Sequence, residues 1–263
     1  MLYDYENFKK DIYKLININL SLYKERQMKR RIESLMERKG YHNFEEYFNA
    51  LKKDDELLRA FVSYLTINVS EFYRNPNQWE LFEKHIIPYL LKKYGKSLNI
   101  WSAACSTGDE PYTIAMILAK HLPLDQIKIQ ATDIDEDVLN FAKEGYYSAK
   151  SVAGLPKDLL NKHFTKVDNG YQINKDIKRC VDFRKHNLLE DMYPSGIHMI
   201  VCRNVVIYFT DEAKDGVYKK FHRAMAKEGV LFIGSTEQII RAKEIGFEAV
   251  DSFFYKRLDV PVF

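Results

Sequence analysis

Residues 101–112 read WSAACSTGDEPY, and this stretch decides the fold that the chain is expected to adopt. An apolar strand leads into a run of small side chains, which continues into an amphipathic helix. Pro111 fits the first turn of that helix, with Gly108 or Asp109 as its cap. Small side chains let a ligand approach the backbone closely, and the helix N-terminus offers free N–H groups. The stretch predicts the ligand loop of a Rossmann-like domain.

Taken alone, this loop has an equally simple structural interpretation. Its glycine spacing does not match G-x-G-x-x-G, so the loop lacks the fingerprint of dinucleotide binding. A tight strand-to-helix turn would explain it, with Asp109 and Glu110 as acids that stabilise the helix dipole. The next strand, however, ends at Asp133, where an acidic side chain is expected to hold a ribose diol. Asp135 is more simply the N-cap of the following helix.

The residues around the loop alternate between short β-rich runs and helical patterns. The strands are expected at residues 98–102, 127–132, 197–202 and 230–234, and the helices at 111–121, 136–144, 211–227 and 236–244. This alternation predicts an α/β fold with a mainly parallel sheet and helices on both faces. Residues 247–258 suit an antiparallel edge pair. Residues 162–183 contain the turn Asp168-Asn169-Gly170 and are expected to form a small antiparallel β insertion.

The first part of the chain has a different pattern, because residues 1–92 are almost wholly helical. Apolar residues recur at helical spacing in 28–36, 44–51 and 56–67, and Gly40 follows the first of these stretches as a C-terminal cap. Residues 93–97 are expected to link this all-α domain, 1–92, to the α/β domain, 98–263.

Composition excludes several classes of protein. The 263 residues have a net charge of only +3, which argues against the broad basic surface of a nucleic-acid-binding protein. Three widely spaced cysteines argue against a disulfide framework. No secretory signal and no apolar run long enough to insert into a membrane is visible, so we expect a cytoplasmic protein. The seven histidines form no metal-binding pattern, and no metal is expected.

Polar residues also follow two later strands, where strand ends of α/β sheets line a ligand crevice. These are Asn187-Leu188 and Arg203-Asn204, with Tyr208 shortly after. The simpler interpretation of Arg203 is a surface ion pair, and that of Tyr208 is a core aromatic residue.

Four segments together resemble the CheR type of chemotaxis receptor glutamate O-methyltransferase. They are residues 68–74 (NVSEFYR), 104–112 (ACSTGDEPY), 202–209 (CRNVVIYF) and 234–237 (GSTE). The resemblance covers essentially the whole chain. It implies a Rossmann-like class I methyltransferase domain with a small antiparallel β insertion, preceded by an all-α N-terminal domain.

The same resemblance implies S-adenosylmethionine as cofactor, S-adenosylhomocysteine as product, and a set of site residues. Cofactor-binding residues are expected to be Asn68, Ser70, Arg74, Asp109, Glu110, Asp133, Asn187, Leu188, Arg203 and Asn204. Arg74 should bind the cofactor carboxylate and Asp133 the ribose. Whether Asp109 or Glu110 makes the closer contact is left open by the sequence. Arg203 and Tyr208 are the expected catalytic residues.

The expected substrate is a glutamate in a methyl-accepting chemotaxis receptor, whose methylated region is an acidic helical bundle. Arg30, Arg31 and Arg38 flank one helical face and are the expected receptor-docking residues. The alternative is an ordinary solvated helix surface with charged pairs. The compact turn at residues 168–170 gives no expectation of binding to a receptor C-terminal peptide. The protein is expected to be a monomer.

Two rival functions share the same α/β half. One is a methyltransferase that acts on RNA or on a small molecule, which the near-neutral charge disfavours. The other is a sensor that binds the cofactor without catalysis, which the presence of Arg203, Asn204 and Tyr208 disfavours.

Overall fold

The N-terminal segment forms the helices that its apolar periodicity indicates. In the computed structural model, which describes residues 3–260, these are α1 (Tyr5–Ile16), α2 (Glu25–Arg38), α3 (Phe44–Leu51) and α4 (Asp55–Thr66). The stretches predicted at 44–51 and 56–67 are confirmed to within one residue. Gly40 adopts a φ of +83° just after α2, as the predicted cap requires.

Aromatic rings form the centre of this helical unit. The rings of Phe8, Tyr47 and Phe61 are fully buried, and each pair has centroids 5.9 to 6.3 Å apart. Ile32 of α2 is also fully buried. Aromatic side chains bury large apolar areas, so these contacts supply much of the hydrophobic stabilisation of the unit.

The boundary between the two compact units lies after residue 68, and the predicted boundary at residue 92 is wrong. The first unit holds the described residues up to Asn68 together with Tyr208–Gly216. The second holds Val69–Ile207 and the described residues from Val217 onward.

The helix at residues 76–94 explains this difference. It consists of α5 (Pro76–Leu81), a π-helical turn (Phe82–Ile86) and α6 (Ile87–Tyr94). Trp79, Phe82 and Leu90 are buried in the same hydrophobic core as the strands of the large sheet. Periodicity reveals an amphipathic helix, but it does not reveal which partner buries the apolar face. The predicted linker at 93–97 therefore begins inside α6 and contains Gly95, which caps it.

The second unit is built on a seven-stranded sheet of the predicted mainly parallel kind. Its strands stand in the order β6-β2-β1-β7-β8-β10-β9. They are β1 (Ile100–Ala103), β2 (Ile129–Asp133), β6 (Val181–Lys185), β7 (Ile197–Cys202), β8 (Met225–Ile233), β9 (Phe247–Asp251) and β10 (Phe254–Arg257). The first five strands in that order, from β6 to β8, pair in parallel. The last two, β10 and β9, form the antiparallel edge pair expected at 247–258.

Helices follow the strands in the order that the sequence indicates. They are α7 (Asp109–Leu118), α8 (Glu136–Glu144) and α11 (Asp211–Ala224). The helix expected at 136–144 is confirmed at both ends, and Asp135 is its N-cap as predicted. The helix expected at 236–244 is wrong, since only a short 3₁₀ turn, Ala242–Ile245, forms there. The side chain of Glu237 folds back onto the N–H groups of Gly234 and Val205 instead of projecting from a helix.

The β insertion is a three-stranded antiparallel sheet. It contains β3 (Tyr146–Ser148), β4 (Phe164–Val167) and β5 (Gly170–Ile173) in the order β3-β5-β4. Helix α9 (Lys157–His163) lies between β3 and β4, and a short helix, α10 (Lys175–Lys178), follows β5. The predicted range of 162–183 misses β3 and includes the start of β6, which belongs to the large sheet. Within residues 3–260 no helix has both the length and the apolarity that crossing a bilayer would require.

Capping of α4 provides a test of local stability in the helical unit. The carboxylate of Asp54 accepts hydrogen bonds from the N–H groups of Glu56 and Leu57, at 2.9 and 3.0 Å. Replacing Asp54 by Ala should lower the free energy of unfolding by about 1 kcal/mol, because two helix N–H groups lose their acceptor. Urea denaturation measures this. Asp55→Ala, which removes a neighbouring acid that caps nothing in α4, is the control, and an equal loss in both variants would contradict the capping role.

Candidate functional site

The loop after β1 turns sharply to bring the chain to the N-terminus of α7. Ala104, Ser106 and Gly108 all have positive φ, at 67°, 48° and 88°. A Cβ atom on Gly108 would stand 2.8 Å from the Cβ atom of Ala142, so this position requires glycine. The sharp turn leaves the first N–H groups of α7 at the end of the sheet, where a ligand can approach them.

Asp133, at the end of β2, fastens this loop to the neighbouring strand. One carboxylate oxygen accepts from the N–H of Ser106 at 2.8 Å, and the other from the N–H of Asp135 at 3.1 Å. The side chain is buried, with an exposed fraction of 6% for the residue. Burial raises the pKa of Asp133 to about 6, although the N–H groups favour the charged form. An acid with a pKa near 6 changes its charge within the physiological range.

Asp109 and Glu110 begin α7 but have different partners. Asp109 is buried and accepts from the hydroxyl group of Thr107 at 2.5 Å. A hydrogen bond with Ser70 favours its charged form, while burial raises its pKa. Glu110 accepts from the hydroxyl group of Ser102 at 2.8 Å. Burial raises the pKa of Glu110 too, and the nearby guanidinium of Arg203 opposes that rise.

Arg203, just past β7, lies inside the second unit rather than on its surface. Its Nη2 atom donates to the carbonyl of Arg74 at 2.9 Å, to the side-chain oxygen of Asn75 at 3.2 Å and to that of Gln78 at 2.7 Å. Its Nη1 atom lies 3.6 Å from a carboxylate oxygen of Glu110. The surface ion pair considered from the sequence is therefore wrong, because only 3% of the Arg203 side chain is exposed.

Two aromatic rings complete the surroundings of this guanidinium. Its central carbon lies 5.0 Å from the ring centroid of Trp79 and 4.8 Å from that of Phe232. Burial lowers the pKa of Arg203 from its very high ordinary value. Because it remains a cation, the paired carboxylate and the ring faces compensate its desolvation. From the end of β7, Arg203 thus contacts both the start of α5 and the start of α7.

The segment before α5 carries Ser70 and Arg74. The guanidinium of Arg74 is half-buried and donates to the carbonyl of Val69 at 3.3 Å. Tyr73 and Asn75 have φ values of 57° and 59°, so two left-handed residues flank Arg74. Such conformations persist only where the surrounding contacts impose them.

Asn187 and Leu188 form a turn after β6. The Asn187 side chain accepts from the N–H of Leu189 at 3.0 Å, and the N–H of Asn187 donates to Asp191 at 2.8 Å. Lys220 of α11 donates to the carbonyl of Leu189 at 2.7 Å. A buried turn of fixed shape at this strand end suits a wall of a ligand site.

Several buried polar atoms at the strand ends have no hydrogen-bond partner among residues 3–260. They include Nε2 of His186, Nε of Arg203, the hydroxyl oxygen of Ser106 and the side-chain oxygen of Asn204. A buried polar atom without a partner is costly, so such atoms at a strand end indicate where a ligand would bind. Both oxygens lie on residues with positive φ.

Asn68 and Tyr208 belong to the first unit. The amide of Asn68 donates to the hydroxyl group of Ser63 at 3.3 Å, at the end of α4. The backbone carbonyl of Tyr208 accepts from the N–H of Lys24 at 2.9 Å. The other predicted site residues, apart from the docking arginines of α2, lie in the second unit, where Arg74, Glu110 and Arg203 form one connected group.

Sequence reasoning missed several residues that shape the site. Gln78, Ser102, Thr107, Lys220 and Glu237 each hold a predicted site residue or its backbone. Gln78 and Lys220 lay in no motif. Ser102 and Thr107 belong to the stretch 101–112 and Glu237 to the segment 234–237, but these motifs indicated no role for them.

Comparisons with known proteins identify the family of the chain. The family description "CheR methyltransferase, SAM binding domain" matches residues 68–254, and "CheR methyltransferase, all-alpha domain" matches residues 3–66. The boundary between the two matches coincides with the division of the chain after residue 68.

Curated relatives carry the name chemotaxis protein methyltransferase. One from Listeria monocytogenes is 42% identical over 252 residues, which cover 96% of each chain. One from Borreliella burgdorferi is 35% identical and covers 90% of this chain and 89% of its own. A third, from Vibrio cholerae, is 32% identical and covers 92% and 88%. Two family matches that span most of the chain, together with relatives of this similarity, show that the chain belongs to the CheR family of chemotaxis protein methyltransferases, which depend on S-adenosylmethionine.

Proposed function

We propose that this protein transfers a methyl group from S-adenosylmethionine to the side-chain carboxylate of glutamates in chemotaxis receptors. The products are a glutamate methyl ester and S-adenosylhomocysteine. The observation that carries the proposal is the buried guanidinium of Arg203 at the strand ends of the sheet, which binds the carbonyl of Arg74 and lies beside the carboxylate of Glu110. The names of the relatives support a chemotaxis protein as substrate.

The residues at the strand ends fit the cofactor chemically. The unpartnered oxygens of Ser106 and Asn204 and the N–H groups of α7 can bind its polar atoms. Asp133 would hold the ribose hydroxyls, and Asp109 or Glu110 the ammonium group. Arg74, Ser70, Asn187 and Leu188 keep the roles expected from the resemblance. Asn68 precedes Ser70 by two positions in the chain and keeps its role as well.

The reaction requires little acid–base catalysis by the protein. When bound, the cofactor supplies an activated methyl group on a sulfonium. The substrate glutamate has an ordinary pKa of about 4.3 and is already ionised at neutral pH. The work of the protein is to hold the carboxylate in line with the methyl group and to exclude water.

The contacts of Arg203 favour an indirect role in holding the substrate carboxylate in line with the methyl group. Its Nη2 atom is occupied by three acceptors of the 74–78 segment. We therefore propose that Arg203 positions Arg74 and Glu110, rather than forming a tight bond to the substrate carboxylate that would lower its reactivity. Tyr208, four positions after Asn204, keeps its expected role as the active-site tyrosine.

Receptor docking is proposed for the exposed arginines of α2. Arg30 and Arg38 are exposed. The guanidinium groups of Arg31 and Arg38 both lie over the ring of Tyr64, 4.5 and 4.9 Å from its centroid, but Arg31 is less exposed and also donates to the Tyr64 carbonyl at 2.6 Å. Arg31 thus packs α2 onto the end of α4, so changing it would disturb the fold as well as the surface.

The β insertion adds nothing to the proposed receptor contacts. Only Asp168 and Asn169 separate β4 from β5. So short a hairpin supports the expectation that no receptor tail peptide binds here.

The decisive experiment uses labelled cofactor and receptor-containing membranes. We expect label on receptor glutamates that base releases as methanol, because a carboxyl methyl ester hydrolyses under base. Stable label on RNA, or cofactor binding with no transfer, would contradict the proposal.

Arg203→Lys should lower kcat by about a hundredfold, since a single ammonium cannot serve four acceptors. Arg184→Lys, at an exposed arginine of β6, is the matched control and should leave kcat unchanged.

Cofactor affinity should depend on pH through Asp133. As the pH rises from 5 to 7 across the pKa of about 6, Asp133 loses its proton and becomes able to accept from the ribose hydroxyls while keeping its two N–H bonds. Affinity measured by calorimetry should therefore increase over this range. Asp133→Asn should bind more weakly and should lose the part of the pH dependence centred near 6. A variant with an unchanged pH profile would show that another group titrates.

Charge reversal on α2 should weaken receptor methylation without affecting the cofactor. For Arg30→Glu combined with Arg38→Glu, we expect kcat/KM for receptors to fall by about tenfold at low salt and less at high salt. Lys143→Glu combined with Lys150→Glu, at two exposed lysines of the second unit, makes the same change in net charge and is the control. A parallel loss of cofactor affinity would indicate misfolding and would argue against docking by α2.

A further inference from the structure

We infer that Glu237 is a positioning residue for methyl transfer, whose buried carboxylate sets the backbone of the loop after β7. This inference rests on the proposed function, in which Arg203 positions Arg74 and Glu110 and the neighbouring Asn204 binds the cofactor. Glu237 belongs to the segment Gly234-Ser235-Thr236-Glu237, which follows the last parallel strand of the sheet.

The geometry of Glu237 is that of an anion held by backbone N–H groups. One carboxylate oxygen accepts from the N–H of Gly234 at 2.6 Å, and the other accepts from the N–H of Val205 at 3.0 Å. Burial raises the pKa of Glu237, and the N–H groups of Asn204 and Val206, like those of Gly234 and Val205, oppose that rise by favouring the charged form. The residue is only 7% exposed, so water does not substitute for these donors.

The loop needs such an acceptor because of its backbone conformation. Asn204 has a φ of 62°, which takes the chain out of the extended conformation that β7 maintains up to Cys202. The N–H groups of residues 204–206 then have no neighbouring strand to pair with, and buried N–H groups require a partner. Successive N–H groups in such a turn form a concavity that binds anions. Here the anion is supplied by the protein itself.

The same segment holds the loop from a second direction. A Cβ atom on Gly234 would stand 2.8 Å from the backbone nitrogen of Asn204 and 2.9 Å from the Glu237 carboxylate, so only glycine permits this approach. The amide of Asn204 also donates to the hydroxyl group of Thr236 at 3.3 Å. Residues 234–237 therefore determine where the backbone and the side chain of Asn204 lie.

Glu237→Gln tests this role, with Glu244→Gln as the matched control. Glutamine keeps the shape but presents an NH₂ group to one of the N–H donors, so that one bond is replaced by a repulsive contact. Hydrogen exchange at the amides of Val205 and Gly234 should accelerate about tenfold, while exchange at Met199 and Val201 of β7 stays as in the wild type. The kcat for receptor methylation should fall by about 10- to 100-fold, while the cofactor Kd should rise by about tenfold at most, because Asn204 is one of several expected cofactor contacts. Glu244 pairs with Arg241 on the surface, and its variant should behave as the wild type.

Unchanged exchange at Val205 and Gly234, or an unchanged kcat, would overturn the inference. So would exchange that rises equally along β7, because that pattern indicates general loosening. If Glu237→Gln does not fold, Glu237→Asp decides by the same measurements, since it keeps the charge but cannot reach both donors. If wild-type protein methylates no receptor, the proposed function fails, while exchange at Val205 and Gly234 together with cofactor Kd still tests the role of Glu237.

Discussion

Burial of the Arg203 charge constrains the rest of the second unit. A guanidinium inside a protein is costly unless carboxylates, carbonyls and ring faces replace the water that it loses. Here the replacement comes from Glu110, from the 74–78 segment and from the rings of Trp79 and Phe232. These groups come from α7, from the start of α5 and from β8. Satisfying one charge therefore fixes three elements relative to one another.

The loops around this charge share a second feature, their left-handed backbone. Tyr73, Asn75, Ala104, Ser106 and Asn204 all have positive φ although none is glycine. Each such residue costs free energy that the surrounding contacts must supply. That cost is tolerated where the chain must turn sharply to aim polar groups at one point. The positions of these residues agree with the site that the strand ends define.

Charged side chains, two of them buried, hold three of the loops in place. Asp133 accepts N–H groups of the loop after β1, Glu237 accepts those of the loop after β7, and Lys220 donates to carbonyls of the turn after β6. In each loop the side chain has the sign of charge that the unpaired backbone groups require, because carboxylates accept from N–H groups and the lysine donates to carbonyls. A site held in this way is organised before a ligand binds, so little reorganisation is needed when the reaction occurs.

Local periodicity along the chain is enough to predict the alternation of strands and helices, the mainly parallel sheet and the presence of a β insertion. The strand-end positions of Asp133, Asn187, Arg203 and Asn204 follow from the same strand assignments, since polar residues at strand ends meet at one edge. Four other features are visible only in the folded chain. The helix at 76–94 packs on the sheet, Arg203 is buried with Glu110, Arg31 packs on Tyr64, and Glu237 folds back instead of continuing a helix. Each of these features depends on a partner distant in the chain, and a pattern of neighbouring residues carries no information about that partner.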